Sequence, residues 1–156
     1  MEENNKLIRQ LESLDSSDID LLIDVLNNLK IERVKTNIPV SIFTEKLSVF
    51  ESIVKYFREE KNLTNKEISK ILKRDPVPIG VIYSHAKTKF PLRLNVDPSE
   101  TIDSQIFDSD KSVFATIILY LKGKNYSFRQ IAAILKRSYN TVYTTYRKNA
   151  LRRDSK

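Results

Sequence analysis

The chain has 156 residues, of which 40% are hydrophobic and 30% charged, and its formal net charge is +7. These proportions are typical of a globular protein, and no stretch approaches the roughly 18 apolar residues that a membrane span requires. The chain has no cysteine, one histidine and only two glycines, which excludes a disulfide framework, a zinc ribbon, a thiol nucleophile and a glycine-rich phosphate loop. We therefore expect neither enzymatic activity nor a metal or cofactor, and, without a secretion leader, a cytoplasmic location.

The positive charge is concentrated at the C-terminal end. Residues 1–30 carry three basic and seven acidic side chains, residues 31–110 thirteen and twelve, and residues 111–156 eleven and one. A net charge of +10 on the last segment is expected of a module that binds a polyanion, because neutralised phosphates release their condensed counterions. A solubilising surface is the alternative interpretation.

Residues 1–35 are predicted to form an acidic amphipathic helical segment. Ser17 with Asp20 predicts a helix start, which divides the segment into two short helices or one broken helix. Such apolar stripes need a partner, either the rest of the chain or a second subunit, in which case the protein is a homodimer through residues 7–33. The stripes consist of Leu7, Leu11 and Leu14, followed by Leu22, Val25, Leu26 and Leu29.

The remainder of the chain contains the same pattern twice. Ser-Val-Phe at 48–50 returns at 112–114, and Ile-Leu-Lys-Arg at 71–74 returns at 134–137. The spacing between the copies is constant up to Tyr56 and Tyr120 and is shorter by one position afterwards, because the second copy has a shorter loop. A register that survives a loop deletion indicates a duplicated unit. The predicted domains are repeat 1 at 36–90, a linker at 91–100 and repeat 2 at 101–156.

The segment before the first helix of each repeat ends in an isoleucine-phenylalanine pair, Ile42-Phe43 or Ile106-Phe107, and the two pairs follow the same register as the Ser-Val-Phe runs. We expect each pair to pack on its own repeat as an N-terminal arm.

Three helices are predicted in each repeat from capping signals. The expected third helices bury Ile79 and Tyr83 in repeat 1 and Val142 and Tyr146 in repeat 2. The sequence thus predicts an all-α fold with two tandem trihelical helix-turn-helix units, preceded by a short N-terminal amphipathic helical segment. The predicted capping boxes are Ser48 with Glu51, Thr64 with Glu67, and Ser127 with Gln130, and the N-caps of the third helices are Asp75 and Ser138.

The run Ser127-Phe128-Arg129-Gln130-Ile131-Ala132-Ala133-Ile134-Leu135, followed by Ser138, Thr141-Val142 and Tyr146, resembles the helix-turn-helix of region four of bacterial sigma factors. The resemblance covers residues 112–152 well and 48–89 less well. It implies that Ala132 lies where two helices cross and that Val142 and Tyr146 anchor a recognition helix. The exposed residues of that helix would then enter the DNA major groove.

Two departures from the family pattern affect the expected site. Lys73-Arg74 and Lys136-Arg137 stand where the family usually has glycine and an aliphatic residue. Lysine can adopt the left-handed conformation of such a turn, whereas the arginine is expected to project outward and contact a phosphate. Repeat 1 also has Pro76 and Pro78 in the opening turn of its third helix, so we expect it to be the weaker DNA reader.

The candidate DNA contacts follow from the exposed face of each third helix. Asparagine can make a bidentate contact with adenine and arginine with guanine, so Asn140, Tyr143 and Arg147 are the expected base contacts. Phosphate contacts are expected from Arg137, Lys148 and Arg152, and for every candidate the alternative is a solvated helix surface. The full set is Arg137, Tyr139, Asn140, Tyr143, Thr144, Arg147, Lys148 and Arg152 in repeat 2, and Lys73, Arg74, Ser84 and Lys87 in repeat 1.

The function that the sequence favours is that of a regulator of transcription that binds double-stranded DNA, with repeat 2 supplying most of the affinity. The alternative is a protein-protein interaction adaptor of the transcription machinery, in which repeat 1 is a docking surface and the acidic N-terminal helices bind a partner such as RNA polymerase or another regulator. An architectural protein that coats DNA without sequence preference is a third interpretation.

Overall fold

A computed structural model of the chain describes residues 2–33 and 36–151, with side chains described for 4–30 and 36–151. The fold is predominantly helical, which confirms the predicted class at that level. Two compact units are present, Met1–Lys35 and Thr36–Lys156. No helix among the described residues has the length and apolar character required to span a bilayer.

The first unit contains two helices, α1 (Glu2–Glu12) and α2 (Ser16–Arg33). The helix cap predicted at Ser17 is wrong by two residues, because the Asp15 carboxylate accepts a hydrogen bond from the Asp18 N–H at 2.8 Å and caps α2, whose first residue is Ser16. None of the side chains described in this unit is buried. Nine of its large apolar side chains, between Leu7 and Leu29, are 41–65% exposed.

The second unit contains both repeats, and each has the same order of elements. Repeat 1 consists of β1 (Ile38–Pro39), a 3₁₀ turn (Val40–Ile42), α3 (Val49–Glu59), α4 (Asn65–Leu72) and α5 (Pro76–Lys89). Repeat 2 consists of β2 (Thr101–Ile102), a 3₁₀ turn (Ser104–Ile106), α6 (Val113–Gly123), α7 (Phe128–Leu135) and α8 (Tyr139–Ala150).

The helix starts are set by local hydrogen bonds. All three predicted capping boxes are present, at the starts of α3, α4 and α7, and each satisfies two backbone donors that the helix itself cannot. Ser138 caps α8 by accepting a hydrogen bond from the Thr141 N–H. Asp75 occupies the corresponding position before α5, but its side chain makes no capping hydrogen bond.

The loop between the second and third helices of each repeat begins with one residue in the left-handed conformation. Lys73 has φ 51° and Lys136 has φ 53°, which confirms the conformation predicted for the turn lysines. Because non-glycine residues rarely adopt this conformation, its presence at both equivalent positions shows that the turn itself is duplicated. The third helix therefore leaves the second at the same point in each repeat.

The core of each repeat is formed by its three helices. Ile79 of α5 and Val142 of α8 are completely buried, as predicted. Tyr83 and Tyr146 are only half-buried, since both rings lie at the edge of the core. The apolar side chains of α3 and α6 that face the core are also buried, apart from half-buried Phe50 and Phe114.

The N-terminal arms are shared between the repeats. The 3₁₀ turn of repeat 1 contacts α3 and also α7 of repeat 2, while the turn of repeat 2 contacts α6 and also α4 of repeat 1. Each arm therefore packs on its own repeat, as expected, and also on the opposite repeat, which the sequence did not predict. The buried pair Ile42-Phe43 lies in the first of these arms.

An internal two-fold relationship organises the second unit. β1 and β2 are antiparallel, and Ile38 pairs with Ile102, its own counterpart in the second repeat. Next to this pair, the Val40 N–H donates to the Glu100 carbonyl at 3.0 Å, and α3 packs on α6. Pairing of a residue with its own counterpart is the geometry of an isologous dimer interface. The two repeats are thus arranged like the subunits of a dimer within one chain.

Residues 91–100, predicted as a linker, contribute to this unit. Leu94 is buried, and the Asp97 N–H donates to the Ser41 hydroxyl at 2.8 Å. The connection between the repeats is therefore attached to repeat 1 and is not a free spacer.

Candidate nucleic-acid interface

The outer face of α8 carries most of the side chains that were predicted from the sequence to contact DNA. α8 packs on α6 and α7, and Val142 is its only buried residue. One side of the helix is thus held by the core while the other is accessible. The accessible residues include six of the predicted candidates, Tyr139, Asn140, Tyr143, Thr144, Arg147 and Lys148.

Asn140, Thr144 and Arg147 lie on one stripe of α8, because residues separated by three and four positions share a helix face. This stripe contains an amide, a hydroxyl and a guanidinium, which are all side chains that can form hydrogen bonds with base edges. It begins one residue after the start of the helix. The arrangement therefore offers a row of hydrogen-bonding groups along an exposed helix.

An aromatic cluster borders this stripe. Phe128, at the start of α7, contacts the rings of Tyr139, Tyr143 and Tyr146 edge-on, with centroid separations of 6.3, 5.3 and 5.0 Å. Tyr139 and Tyr143, one helical turn apart, also stack on each other with an interplanar angle of 14°. Such contacts restrict ring orientation, so the two exposed tyrosines are held in place before any partner binds.

Two cations lie against the cluster. The Lys122 ammonium is 4.7 Å from the Phe128 ring centre, and the Arg147 guanidinium is 5.9 Å from that of Tyr143. Both distances are within the range of cation–π attraction. Since Arg147 is exposed, the contact orients its side chain along the accessible face and leaves donors for a partner.

Sequence reasoning did not assign Phe128 to the site. The available signal was the coincidence of one aromatic residue at the start of α7 with three tyrosines on α8, at positions 139, 143 and 146. Their contact depends on the angle between the two helices, which the sequence pattern does not specify.

A cleft next to α8 contains further basic groups. It lies between the start of α6 and α8 and is lined by Lys111 and Lys148, together with Asp110 and Thr144. The two lysines bring positive charge to the side of the exposed stripe.

The equivalent surface of repeat 1 is chemically different. At the positions of Phe128, Tyr139 and Tyr143, repeat 1 has Asn65, Pro76 and Gly80. A Cβ at Gly80 would lie 3.0 Å from the Asn65 amide nitrogen, so a larger residue there would require the Asn65 side chain to shift. The cluster is therefore confined to repeat 2.

The outer face of α5 is apolar where that of α8 is polar. Val77 and Val81, the counterparts of Asn140 and Thr144, are 79% and 53% exposed. Of the candidates in this repeat, Lys73, Ser84 and Lys87 are exposed. The Ser84 hydroxyl, however, donates to the Gly80 carbonyl at 3.1 Å within the helix.

The expectation that the two turn arginines project outward is wrong. Arg137 donates to the Thr44 carbonyl at 3.2 Å and also to the Leu47 carbonyl, while Arg74 donates to the Asp108 carbonyl at 3.1 Å and also to the Lys111 carbonyl. Both are half-buried. Because these guanidinium groups are already bonded to backbone acceptors of the opposite repeat, we withdraw Arg74 and Arg137 as phosphate contacts.

Arg152, predicted to contact phosphate, lies outside the described residues. Among the residues that the structure describes, no group of three or more histidine, aspartate or glutamate side chains could hold a metal ion.

No protein-family model, curated protein or solved structure matches this chain. The function of the chain is therefore inferred from the chemistry of its own residues.

Proposed function

We propose that this protein regulates transcription by binding double-stranded DNA, with α7 and α8 acting as a helix-turn-helix and α8 lying in the major groove. The observation that carries the proposal is that Asn140, Thr144 and Arg147 form one exposed stripe on a helix that has a single buried residue. A helix presented in this way can enter a groove that is about 12 Å wide without disturbing its own core.

The roles of the side chains follow from their hydrogen-bonding groups. Asn140 would recognise adenine through its amide, and Arg147 would recognise guanine through its guanidinium. Tyr139 and Tyr143, which are fixed by Phe128, would contact the thymine methyl group or the sugar-phosphate backbone. Lys148 would contact a phosphate.

Electrostatics support the same surface. Residues 111–156 have a net charge of +10, whereas residues 1–110 have −3 in total, from −4 and +1. A polyanion would therefore be attracted to repeat 2 in preference to the rest of the chain. Because the repeats are arranged like a dimer, α5 would then approach a second, dissimilar site about one helical turn away on the DNA.

The proposal is tested by fluorescence anisotropy with a mixed-sequence duplex over a range of salt concentrations. The variant Arg147→Ala/Lys148→Ala should bind more weakly and reduce the slope of log K against log salt by roughly one unit per charge removed. Lys6→Ala/Arg9→Ala removes the same charge from α1 and serves as the matched control, which should leave the slope unchanged. Weak binding with a flat salt dependence in the wild type would contradict the proposal.

A second candidate function is supported by the apolar face of α5. Val77 and Val81 lie one turn apart and are exposed, a pattern typical of a protein docking surface. In this alternative, repeat 1 binds RNA polymerase or another regulator. Val77→Glu/Val81→Glu should then abolish partner binding and leave the affinity for DNA intact.

A further inference from the structure

Arg74 and Arg137 make the same contact twice, with the roles of the repeats exchanged. Both arginines close the repeated run Ile-Leu-Lys-Arg, so they occupy equivalent positions in the turns before α5 and α8. Their acceptors are also equivalent, since Asp108 and Lys111 are the counterparts of Thr44 and Leu47 when the two repeats are aligned. We call this set of contacts the arginine clasp.

The clasp is attached at the start of each third helix. Arg74 immediately precedes Asp75, the N-cap residue of α5, and Arg137 immediately precedes Ser138, the N-cap residue of α8. At the other end, the acceptor carbonyls belong to the loop that leads into the first helix of the opposite repeat. The loop residue just before each third helix is therefore bonded to the repeat that does not contain that helix.

Other connections between the repeats are made by the 3₁₀ turns, each of which contacts the second helix of the opposite repeat, and by the strands and the first helices. β1 and β2 have only two residues each, and they pair at the two-fold axis that relates the repeats. α3 and α6, which are equivalent helices, also pack on each other there. Contacts at an axis restrain rotation about that axis less effectively than contacts away from it. The two arginines add a restraint at the start of each third helix.

We propose that Arg74 and Arg137 are positioning residues that set the separation and orientation of α5 and α8. This inference rests on the proposed function in one respect: it implies that the protein binds DNA whose two contact regions have one defined spacing. In dimeric helix-turn-helix proteins that spacing is set by the dimer interface. Here the same role is performed by two side chains within one chain.

Arginine suits this role better than lysine. A planar guanidinium presents several donors in a fixed geometry, so one side chain can bind two carbonyl oxygens at once. An ammonium group on a flexible stem retains the charge but not this geometry. Arg74→Lys/Arg137→Lys therefore separates the positioning role from a purely electrostatic one.

The first experiment does not involve DNA. The chain has no cysteine, so spin labels would attach only to the two cysteines introduced by Val77→Cys and Asn140→Cys. These are exposed, equivalent positions, one on α5 and one on α8. The distance between the labels is measured by double electron–electron resonance. With both arginines present we expect one narrow distribution, and with Arg74→Lys/Arg137→Lys a broader one. An unchanged distribution would overturn the positioning role.

A matched control makes the same chemical change elsewhere. Arg93 and Arg129 are exposed, and Arg93→Lys/Arg129→Lys should leave the distance distribution as narrow as in the wild type. If the double clasp variant does not fold by circular dichroism, the single variant Arg137→Lys retains one half of the clasp and should give an intermediate width. A width equal to that of the wild type would overturn the inference in that case also.

The second experiment measures how the affinity for a selected DNA site changes when the spacing between its two contacted regions is altered. We expect the wild type to lose about tenfold in affinity when one base pair is inserted between the two contacted regions, because the insertion rotates and displaces one region relative to the other. The variant Arg74→Lys/Arg137→Lys should lose less affinity than the wild type. Equal losses in both proteins would overturn the inference about spacing, whereas failure of the wild type to bind DNA would overturn the proposed function and leave the distance measurement as the test of the clasp.

Discussion

The Lys55 ammonium lies 2.6 Å from the Glu59 carboxylate, one turn later on α3, and the lysine side chain is completely buried. The same carboxylate oxygen accepts a hydrogen bond from the Tyr83 hydroxyl at 3.3 Å, so one acidic group serves a helix of the core and the third helix of repeat 1. A buried cation without its partner is costly, because its lost hydration is no longer compensated.

Glu59→Ala should therefore destabilise the protein strongly, by about 3 kcal/mol or more. Urea unfolding monitored by circular dichroism gives this difference directly. Glu45→Ala, in an exposed loop, is the control and should change the free energy of unfolding by no more than about 0.5 kcal/mol. Equal stability of the two variants would contradict the assignment of Glu59 as the essential partner of Lys55.

The stability of α3 depends on pH through the ionisation of Glu51. Burial raises its pKa, but hydrogen bonds from Lys89, at 2.6 Å, and from Ser48 outweigh this effect and hold the pKa below the ordinary value of 4.5. Because the pKa is lower in the folded chain than in the unfolded chain, the stabilisation is complete well above pH 4.5 and is lost as the pH falls through the folded-state value.

Glu51→Gln tests this dependence without removing the capping box, which glutamine also forms at the start of α7. At pH 7 we expect the variant to be less stable by about 1 kcal/mol or less, since Lys89 is partly exposed. The difference should shrink when denaturant unfolding is repeated at progressively lower pH below 4.5. A difference that is independent of pH would show that the charge of Glu51 is not responsible.

Asn140 is predicted to determine sequence preference. Asn140→Ala should reduce discrimination at one adenine by about 1–3 kcal/mol, because a bidentate contact is lost, and should leave the salt dependence of binding unchanged. Selection of sites from random DNA, followed by anisotropy measurements on single-base variants, measures this effect. Asn95→Ala is the matched control, in the segment between the repeats. If both variants retain the full preference, Asn140 does not read a base.

Self-association is predicted through α1 and α2. Their nine exposed apolar side chains and the absence of any buried side chain among residues 4–30 indicate that helices of 11 and 18 residues need a further partner. We expect a homodimer by sedimentation equilibrium and a monomer for Leu26→Glu/Leu29→Glu. Val77→Glu/Val81→Glu places the same charges on α5 and should remain dimeric. A monomeric wild type would contradict this prediction.

The features that could be predicted from the sequence depend on neighbours a few residues apart. The capping boxes join residues three positions apart, and the left-handed conformation of the turn lysines was implied by the glycine that the resembled family has at that position. The exposed stripe of α8 follows from helix periodicity once the buried Val142 is identified. Interactions of this kind are present in the local sequence, so its pattern is enough to specify them.

The features that could not be predicted depend on residues that are distant in the chain. Arg74 binds carbonyls 34 and 37 residues away, and Arg137 binds carbonyls 93 and 90 residues away. An outward orientation was a reasonable expectation for a long cation at a turn, but packing of the repeats brought backbone acceptors within its reach. The strands β1 and β2 were also missed, because two residues are too few for an alternating pattern. Local sequence thus determined where the helices of the repeats start and which faces they expose, whereas only the packing of one repeat on the other decided which polar groups remain free to bind a partner.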